Sequence, residues 1–174
     1  PLASPEVADR VILLDGASKT YAMTGWRLGW AVWPEALLGA ARKLAVNSFS
    51  CVNAPTQFAG IAAIEGPQAC VADMVAAFDK RRRRVVEGLN RLPGVSAVTP
   101  KGAFYAFPNI TGTGWKAKAL ASALLEETGV ATLGGPDFGL HGEGYLRLSY
   151  ANSEENIARA LDRMAAFLGR GPRP

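Results

Sequence analysis

The stretch of sequence that decides the fold is residues 11–33, VILLDGASKTYAMTGWRLGWAVW. Its two ends, residues 11–14 and 28–33, are apolar runs that each predict a β-strand. A continuous apolar strand is typical of a parallel sheet that is covered on both faces. Between the two strands lie Lys19 and Arg27. Because reactive groups in α/β folds collect where strands end, this connection is the first candidate for a functional site.

Helices and strands alternate along the rest of the chain, which predicts a layered α/β or α+β protein. The spacing of apolar residues predicts helices at 34–46, 53–64, 68–92 and 115–128, and a last helix that begins after Asn152 and Ser153. Shorter apolar runs predict strands at 95–98, 104–107, 130–133 and 145–150. We expect two parts with a boundary near residue 50, and a frayed tail at 171–174.

The composition is that of an ordinary globular protein. Of the 174 residues, 49% are hydrophobic and 20% charged, which excludes disordered, collagen-like and coiled-coil chains. No apolar run reaches the roughly 18 residues of a membrane span. The first ten residues are polar and include acids, unlike a secretory signal. We therefore expect no membrane association and a cytoplasmic location.

The cysteines and the single histidine exclude several kinds of site. Cys51 and Cys70 form no CxxC pair, which excludes a zinc module or a disulfide framework and favours a packing role for both. His141 alone cannot build a histidine-rich metal site. We expect no metal ion and a reducing environment.

Much of the net charge of +4 comes from one run, Lys80 to Arg84. Five successive helical residues point in all directions, so they do not form one basic face. We expect a solvated surface with some ion pairs. The alternative, a patch that binds nucleic acid, would show as a salt-sensitive affinity that is lost when the run is neutralised.

Lys19 and Arg27 together suit one cofactor. A lysine amine forms a Schiff base with an aldehyde when its surroundings lower its pKa. An arginine fork is suited to a phosphate monoester. Pyridoxal phosphate carries both groups on one ring. The residues alone leave a second interpretation open, in which both are solvated side chains of a glycine-containing loop.

The stretch also resembles the lysine signature of the class I/II aminotransferases, which are pyridoxal-phosphate enzymes of fold type I. Four further landmarks recur in order: Ala54-Pro55-Thr56-Gln57, Gly102-Ala103-Phe104-Tyr105, Phe138-Gly139 and Gly144-Tyr145-Leu146-Arg147-Leu148-Ser149-Tyr150. The resemblance runs from about Val11 to Leu168. It implies an α/β fold in which residues 1–50 are a two-stranded part of the large cofactor-binding domain. Residues 51–170 would form the smaller α+β C-terminal domain with its long helix.

The resemblance implies roles for three residues of the lysine loop. Lys19 would be the Schiff-base lysine and the general base that moves the α-proton of the substrate. Arg27 would bind the cofactor phosphate, and Ser18 could donate to the same phosphate. The family often has a serine three positions before the lysine, where this chain has Gly16.

Arg147 would bind the substrate α-carboxylate, as its counterpart does in the family. The strand pattern agrees with this role, because Leu146, Leu148 and Tyr150 alternate onto one face and leave Arg147 on the other. Without the family, a structural ion pair is the alternative. Phe104 and Tyr105 fall where the family brings an aromatic side chain near the substrate, and core packing is the alternative for both. The loop that holds Phe138 borders the substrate in the family.

The implied function is transfer of an amino group between an amino acid and a 2-oxo acid, in an enzyme expected to be a homodimer that binds no nucleic acid. Less than half of the usual enzyme is present. The family's phosphate loop, ring-stacking aromatic and pyridine-binding aspartate precede the lysine strand and are absent here, so we expect this chain alone to be inactive. Carbon–sulfur lyases and cyclopropane-carboxylate synthases carry the same lysine and arginines and stay alternatives. A non-catalytic effector module of a transcription regulator is another.

Overall fold

The computed structural model describes residues 4–171, and its contacts divide the chain into two compact units on either side of the Asp73–Met74 bond. We predicted a domain boundary near residue 50, which this division does not confirm. Most of the predicted frayed tail, residues 172–174, lies outside the described residues. The fold is mixed α/β, rich in helices and with few strands, in agreement with the predicted class.

The first unit is built around a two-stranded ribbon. Its elements, in chain order, are α1 (Pro5–Ala8), β1 (Leu13–Gly16), α2 (Ala17–Thr20), a 3₁₀ turn (Thr24–Trp26), β2 (Gly29–Val32), α3 (Glu35–Phe49) and α4 (Ala54–Glu65). Helix α5 (Ala69–Leu89) begins in this unit and continues into the second.

Strands β1 and β2 pair antiparallel, with Leu13 opposite Val32 and Gly16 opposite Gly29. We predicted two strands of a parallel-type sheet, whereas these two strands are antiparallel to each other. The connection between them contains only single-turn helices, and parallel neighbours need a full crossover connection, usually a helix. The apolar run predicts a strand, whereas the form of the connection decides its direction.

Large apolar side chains of the first unit are exposed. The exposed fraction is 75% at Leu14 on β1, 65% at Phe49 on α3 and 72% at Phe58 on α4. The exposure of Phe58 means that residues 53–65 add little to a core. Cys51 and Cys70 are also exposed, so their predicted packing role is wrong.

The second unit has the continuous core. Its elements are β3 (Tyr105–Ala106), a 3₁₀ turn (Thr111–Thr113), α6 (Ala117–Thr128), β4 (Leu133–Gly134), the 3₁₀ turns Gly135–Phe138 and Leu140–Gly142, β5 (Leu146–Ser149) and α7 (Glu154–Leu168). The three strands form an antiparallel sheet in the order β3-β5-β4. The side chains that are fully buried include Leu89, Leu120, Leu124, Leu146, Tyr150 and Met164.

The predicted strand at 95–98 is reduced to one bridge between Ser96 and Asn109. The side chain of Asn90 takes the place of a neighbouring strand at Ala97. Its Nδ2 donates to the carbonyl of Ala97 at 3.0 Å, and its Oδ1 accepts from the amide of Ala97 at 2.8 Å. A side chain that satisfies a backbone in this way removes the need for a sheet partner.

The basic run on α5 forms ion pairs, as predicted. Arg82 and Arg83 both bind the carboxylate of Asp79, and Lys80 lies 2.8 Å from Oε1 of Glu154 at the start of α7. Hydrogen bonds from Arg83 and then Arg82 hold the pKa of Asp79 below its usual value. These contacts account for the charges as a solvated, paired surface.

Judged by length and composition, no single helix among residues 4–171 is suited to cross a membrane. Helices α4 and α5 pass that test only as a pair, and the chain bends by 80° between them.

The core assignment predicts unequal effects for two leucines of α6. Leu120 is fully buried, whereas Leu125 is 55% exposed. We expect Leu120→Ala to lower the free energy of unfolding by about 2–5 kcal/mol, since it removes buried methyl groups and leaves a cavity. The matched variant Leu125→Ala should change it by less than about 0.5 kcal/mol. Urea denaturation of both variants checks this, and equal losses would contradict the assigned core.

Candidate active site

The lysine loop, residues 17–28, connects β1 to β2 and is closed at its base. Gly16 pairs with Gly29, and the amide of Ala17 donates to the carbonyl of Leu28 at 3.1 Å. Lys19 lies on α2 with an exposed side chain, and Ser18 beside it is half-buried. Ser18, Lys19 and Arg27 therefore lie on one short connection whose two ends are hydrogen-bonded to each other.

Gly16 stands where the family often has serine, and the ribbon explains the departure. A Cβ at residue 16 would lie 3.0 Å from the carbonyl oxygen of Leu28 and 3.3 Å from Cα of Gly29. A serine at this position would need the two strands to separate by a few tenths of an ångström. In this chain, therefore, the strands lie closer together than a serine at residue 16 would allow.

Arg27 has a left-handed backbone, with φ 56° and ψ 46°. This conformation costs a residue with a Cβ on the order of 1 kcal/mol, and it persists only where its surroundings impose it. Nη1 of Arg27 donates to the carbonyl of Thr24 at 2.9 Å, which turns the guanidinium back over the loop.

Helix α4 holds the same segment from the other side. The hydroxyl of Thr56, which is 2% exposed, donates to the carbonyl of Trp26 at 3.1 Å. Asn53 caps α4 by accepting from the amide of Thr56 at 2.9 Å. A Cβ on Gly60 would collide with the side chain of Leu28. Sequence reasoning noted the Ala54-Pro55-Thr56-Gln57 landmark but missed that Thr56 supports the backbone at Arg27.

Arg147 lies in β5, the central strand of the second unit, opposite Leu133 of β4. Its Cζ is 4.5 Å from the ring centroid of Tyr105 and 4.1 Å from that of Phe138. The side chain is half-buried, and no acidic group among the described residues forms a salt bridge with it. The described part of the chain thus offers no support for the structural ion pair that the sequence left open.

The rings of Phe104 and Tyr105 lie against each other, with centroids 4.6 Å apart, but their further contacts differ. Phe104 contacts Phe78, at a centroid distance of 6.0 Å, and packs against the core. Tyr105 contacts Arg147. Phe104 precedes the two residues of β3, so strand alternation does not separate the two rings, and their different partners distinguish them instead.

Tyr150 supports this strand pair in a way that the sequence did not show. Its hydroxyl donates to the carbonyl of Ala103 at 3.0 Å, and its amide donates to the carbonyl of Phe104 at 2.9 Å. Ala103 has φ 57°, so these bonds hold a left-handed residue at the entrance to β3. Burial is the main cause that raises the pKa of Tyr150 above its ordinary value of 10.0.

No group of three or more His, Cys, Asp and Glu side chains suited to a metal ion occurs within residues 4–171. His141 is exposed in the turn Leu140–Gly142.

The candidate residues form two sets: Ser18, Lys19 and Arg27 on the lysine loop, and Tyr105, Phe138 and Arg147 in the second unit.

This combination of fold and residues defines a class of protein. The family model for aminotransferase class I and II matches residues 1–164, and the chain belongs to that family. The chain spans about two-fifths of the length of the curated relatives that it matches.

The individual relatives are consistent with this family. The chain is 41% identical to an aspartate aminotransferase from Streptomyces avermitilis, over 97% of this chain and 43% of that protein. It is 40% identical to one from Pyrococcus horikoshii, over 92% and 41%. It superposes on the crystal structure of an aspartate aminotransferase from Rhizobium meliloti with a TM-score of 0.91, at 35% identity over 97% of this chain and 44% of that chain.

Arg147 forms no salt bridge with the acids of residues 4–171, which leads to a prediction about stability. We expect Arg147→Gln to lower the free energy of unfolding by no more than about 1 kcal/mol, because it removes ring contacts but breaks no ion pair among these residues. Arg82→Gln should cost more, since that guanidinium bonds both Asp79 and the carbonyl of Pro100. Denaturation of the two variants checks the order, and a larger loss at Arg147 would point to a structural charge.

The buried hydroxyl of Tyr150 leads to a second prediction. Tyr150→Phe should lower the free energy of unfolding at pH 7 by about 1 kcal/mol, through the lost hydrogen bond to Ala103. The raised pKa means that this contribution is complete below pH 10 and is lost as the pH rises further, because the unfolded chain ionises first. Urea midpoints of both proteins from pH 7 to 11 check this, and a constant difference would contradict it.

Proposed function

We propose that the protein is an amino acid:2-oxo acid aminotransferase that uses pyridoxal phosphate. One observation carries the proposal: Lys19 and Arg27 lie on one loop that β1, β2 and Thr56 hold closed, in a chain of the aminotransferase class I and II family. The amine and the guanidinium are the two groups that an aldehyde and a phosphate require.

The residues of the lysine loop fit this cofactor. The amine of Lys19 suits its aldehyde, while the guanidinium of Arg27 and the hydroxyl of Ser18 suit its phosphate. When bound, the cofactor supplies an electron sink for the bonds at the substrate α-carbon. The left-handed backbone at Arg27 supports a functional assignment, since strain of this kind clusters at functional sites.

Lys19 would have two duties in this mechanism. Its amine would hold the cofactor in the resting protein. Once the substrate amine takes its place, the freed amine would act as the general base that removes the proton from the substrate α-carbon. A positioned base of this kind contributes about 10²–10⁴-fold to the rate.

Arg147 would bind the α-carboxylate of the substrate. An arginine presents paired N–H groups that match the two oxygens of a carboxylate. The support comes from its contacts, since Tyr105 and Phe138 lie against the guanidinium and no acid among residues 4–171 neutralises it. Tyr105 would lie beside the bound substrate, whereas Phe104 would serve the core.

The names of several relatives support L-aspartate as the first amino acid to test, with a 2-oxo acid as the acceptor. The family also supports a homodimer, and the composition of the chain supports a cytoplasmic location. We propose both on these grounds.

A titration of the natural protein with pyridoxal phosphate tests the proposal. We expect a visible absorbance band from the bound cofactor, amino-group transfer from L-aspartate, and the loss of both in Lys19→Ala, with kcat lower by about 10²-fold or more. The matched control is Lys43→Ala, which removes an exposed lysine of α3 and should change neither. If Lys19→Ala retains the band and the turnover, the proposed role of Lys19 is wrong.

A further inference from the structure

We propose that Tyr105 and Phe138 are positioning residues that hold the guanidinium of Arg147 between their rings, so that its N–H groups face the substrate carboxylate. The identity of this ligand rests on the proposed function. The ring contacts themselves do not depend on it.

The contacts have the geometry that attracts a cation to an aromatic ring. The distances from Cζ of Arg147 to the two ring centroids, 4.5 and 4.1 Å, are well inside the roughly 6 Å over which this attraction acts. A guanidinium is planar and carries its donors in that plane. Rings that stack on its faces would leave the donors available, while a carboxylate partner within the protein would occupy them.

The two rings reach Arg147 from a strand and a turn on opposite edges of the sheet. Tyr105 is on β3 and pairs with Ser149, so it lies diagonal to Arg147 on the neighbouring strand. Diagonal neighbours are within reach of aromatic side chains. Phe138 ends the turn Gly135–Phe138, which follows β4 on the other edge of the sheet. The central position of β5 brings Arg147 between them.

The turn that carries Phe138 is held in place by several contacts. The amide of Gly135 donates to the carbonyl of Tyr145 at 2.8 Å, and Nζ of Lys118 lies 2.8 Å from Oδ1 of Asp137. A side chain on Gly135 or Gly142 would collide with the backbone of the other residue. These contacts fix the direction in which Phe138 leaves the backbone.

The exposure of Phe138 indicates that packing alone does not explain why a phenylalanine lies at this position. The side chain is 46% exposed, although Phe107 lies edge-on to it with centroids 6.2 Å apart. A half-exposed phenylalanine gains little from burial, whereas its contact with the cation needs only one face. The ring thus pre-orients a long side chain that would otherwise lose rotamer freedom on binding.

Kinetics of the natural protein with L-aspartate test the consequence for binding. We expect Phe138→Leu to raise KM about fivefold with kcat within about twofold, because it weakens ground-state and transition-state binding alike. Phe138→Tyr keeps a ring and should restore KM. The matched control Leu140→Ala, which changes a 98% exposed side chain in the same segment, should leave both constants unchanged.

A nuclear magnetic resonance measurement of the chain tests the ring contacts without cofactor or substrate. The Nε–Hε resonance of Arg147, assigned through its loss in Arg147→Lys, should lie upfield of those of the exposed Arg42 and Arg170 because ring faces shield nearby protons. Phe138→Leu should move it toward them, and Phe138→Tyr should not.

The outcomes separate this inference from the proposed function. An Arg147 resonance that coincides with those of the exposed arginines, or an unchanged KM in Phe138→Leu, overturns the role of the rings. If the shifted resonance is present but the natural protein transfers no amino group from any amino acid, the proposed function fails and the ring contacts stand.

Discussion

The alternation of side chains along β5 is the constraint on which the second unit depends. One face of this four-residue strand supplies Leu146 to the centre of the core, and Tyr150 continues that face beyond the strand end. The other face carries Arg147 toward two aromatic rings. Because the period of a strand is two, a slip of one residue would bury the guanidinium and expose the leucine. The register that builds the core therefore also places the charged group.

The lysine loop is also held in place, but by hydrogen bonds to its backbone and not by packing against a core. The antiparallel ribbon closes the loop at its base, and Thr56 supports it at Trp26. The close approach of Gly16 and Gly29 explains why small residues occur here. The side chains of a loop have fixed positions only when both the ends and the interior of the loop are held. This loop is held at its ends by the ribbon and within it by Thr56.

Much of the fold could be predicted from the sequence because its signals are local. The helices at 35–49, 54–65, 117–128 and 154–168 follow apolar spacing and caps, and Ser153 caps the last one as expected. Strand direction and the bridge at Ser96 could not be predicted, since both depend on partners distant in sequence. The landmark residues indicated Arg147 and Phe138, but only the packed structure shows that one contacts the other. The exposure of Cys51 could not be predicted, because a residue type gives only an average tendency to be buried and does not identify the residues that surround it.

The left-handed backbone at Arg27 has a consequence for how this position can vary. Glycine would relieve the backbone there at no steric cost, so a search for more stable variants would favour it. Glycine would also remove the guanidinium that we assign to the phosphate. Stability and the proposed function thus favour different residues at position 27, and selection only for resistance to unfolding would favour variants without this guanidinium.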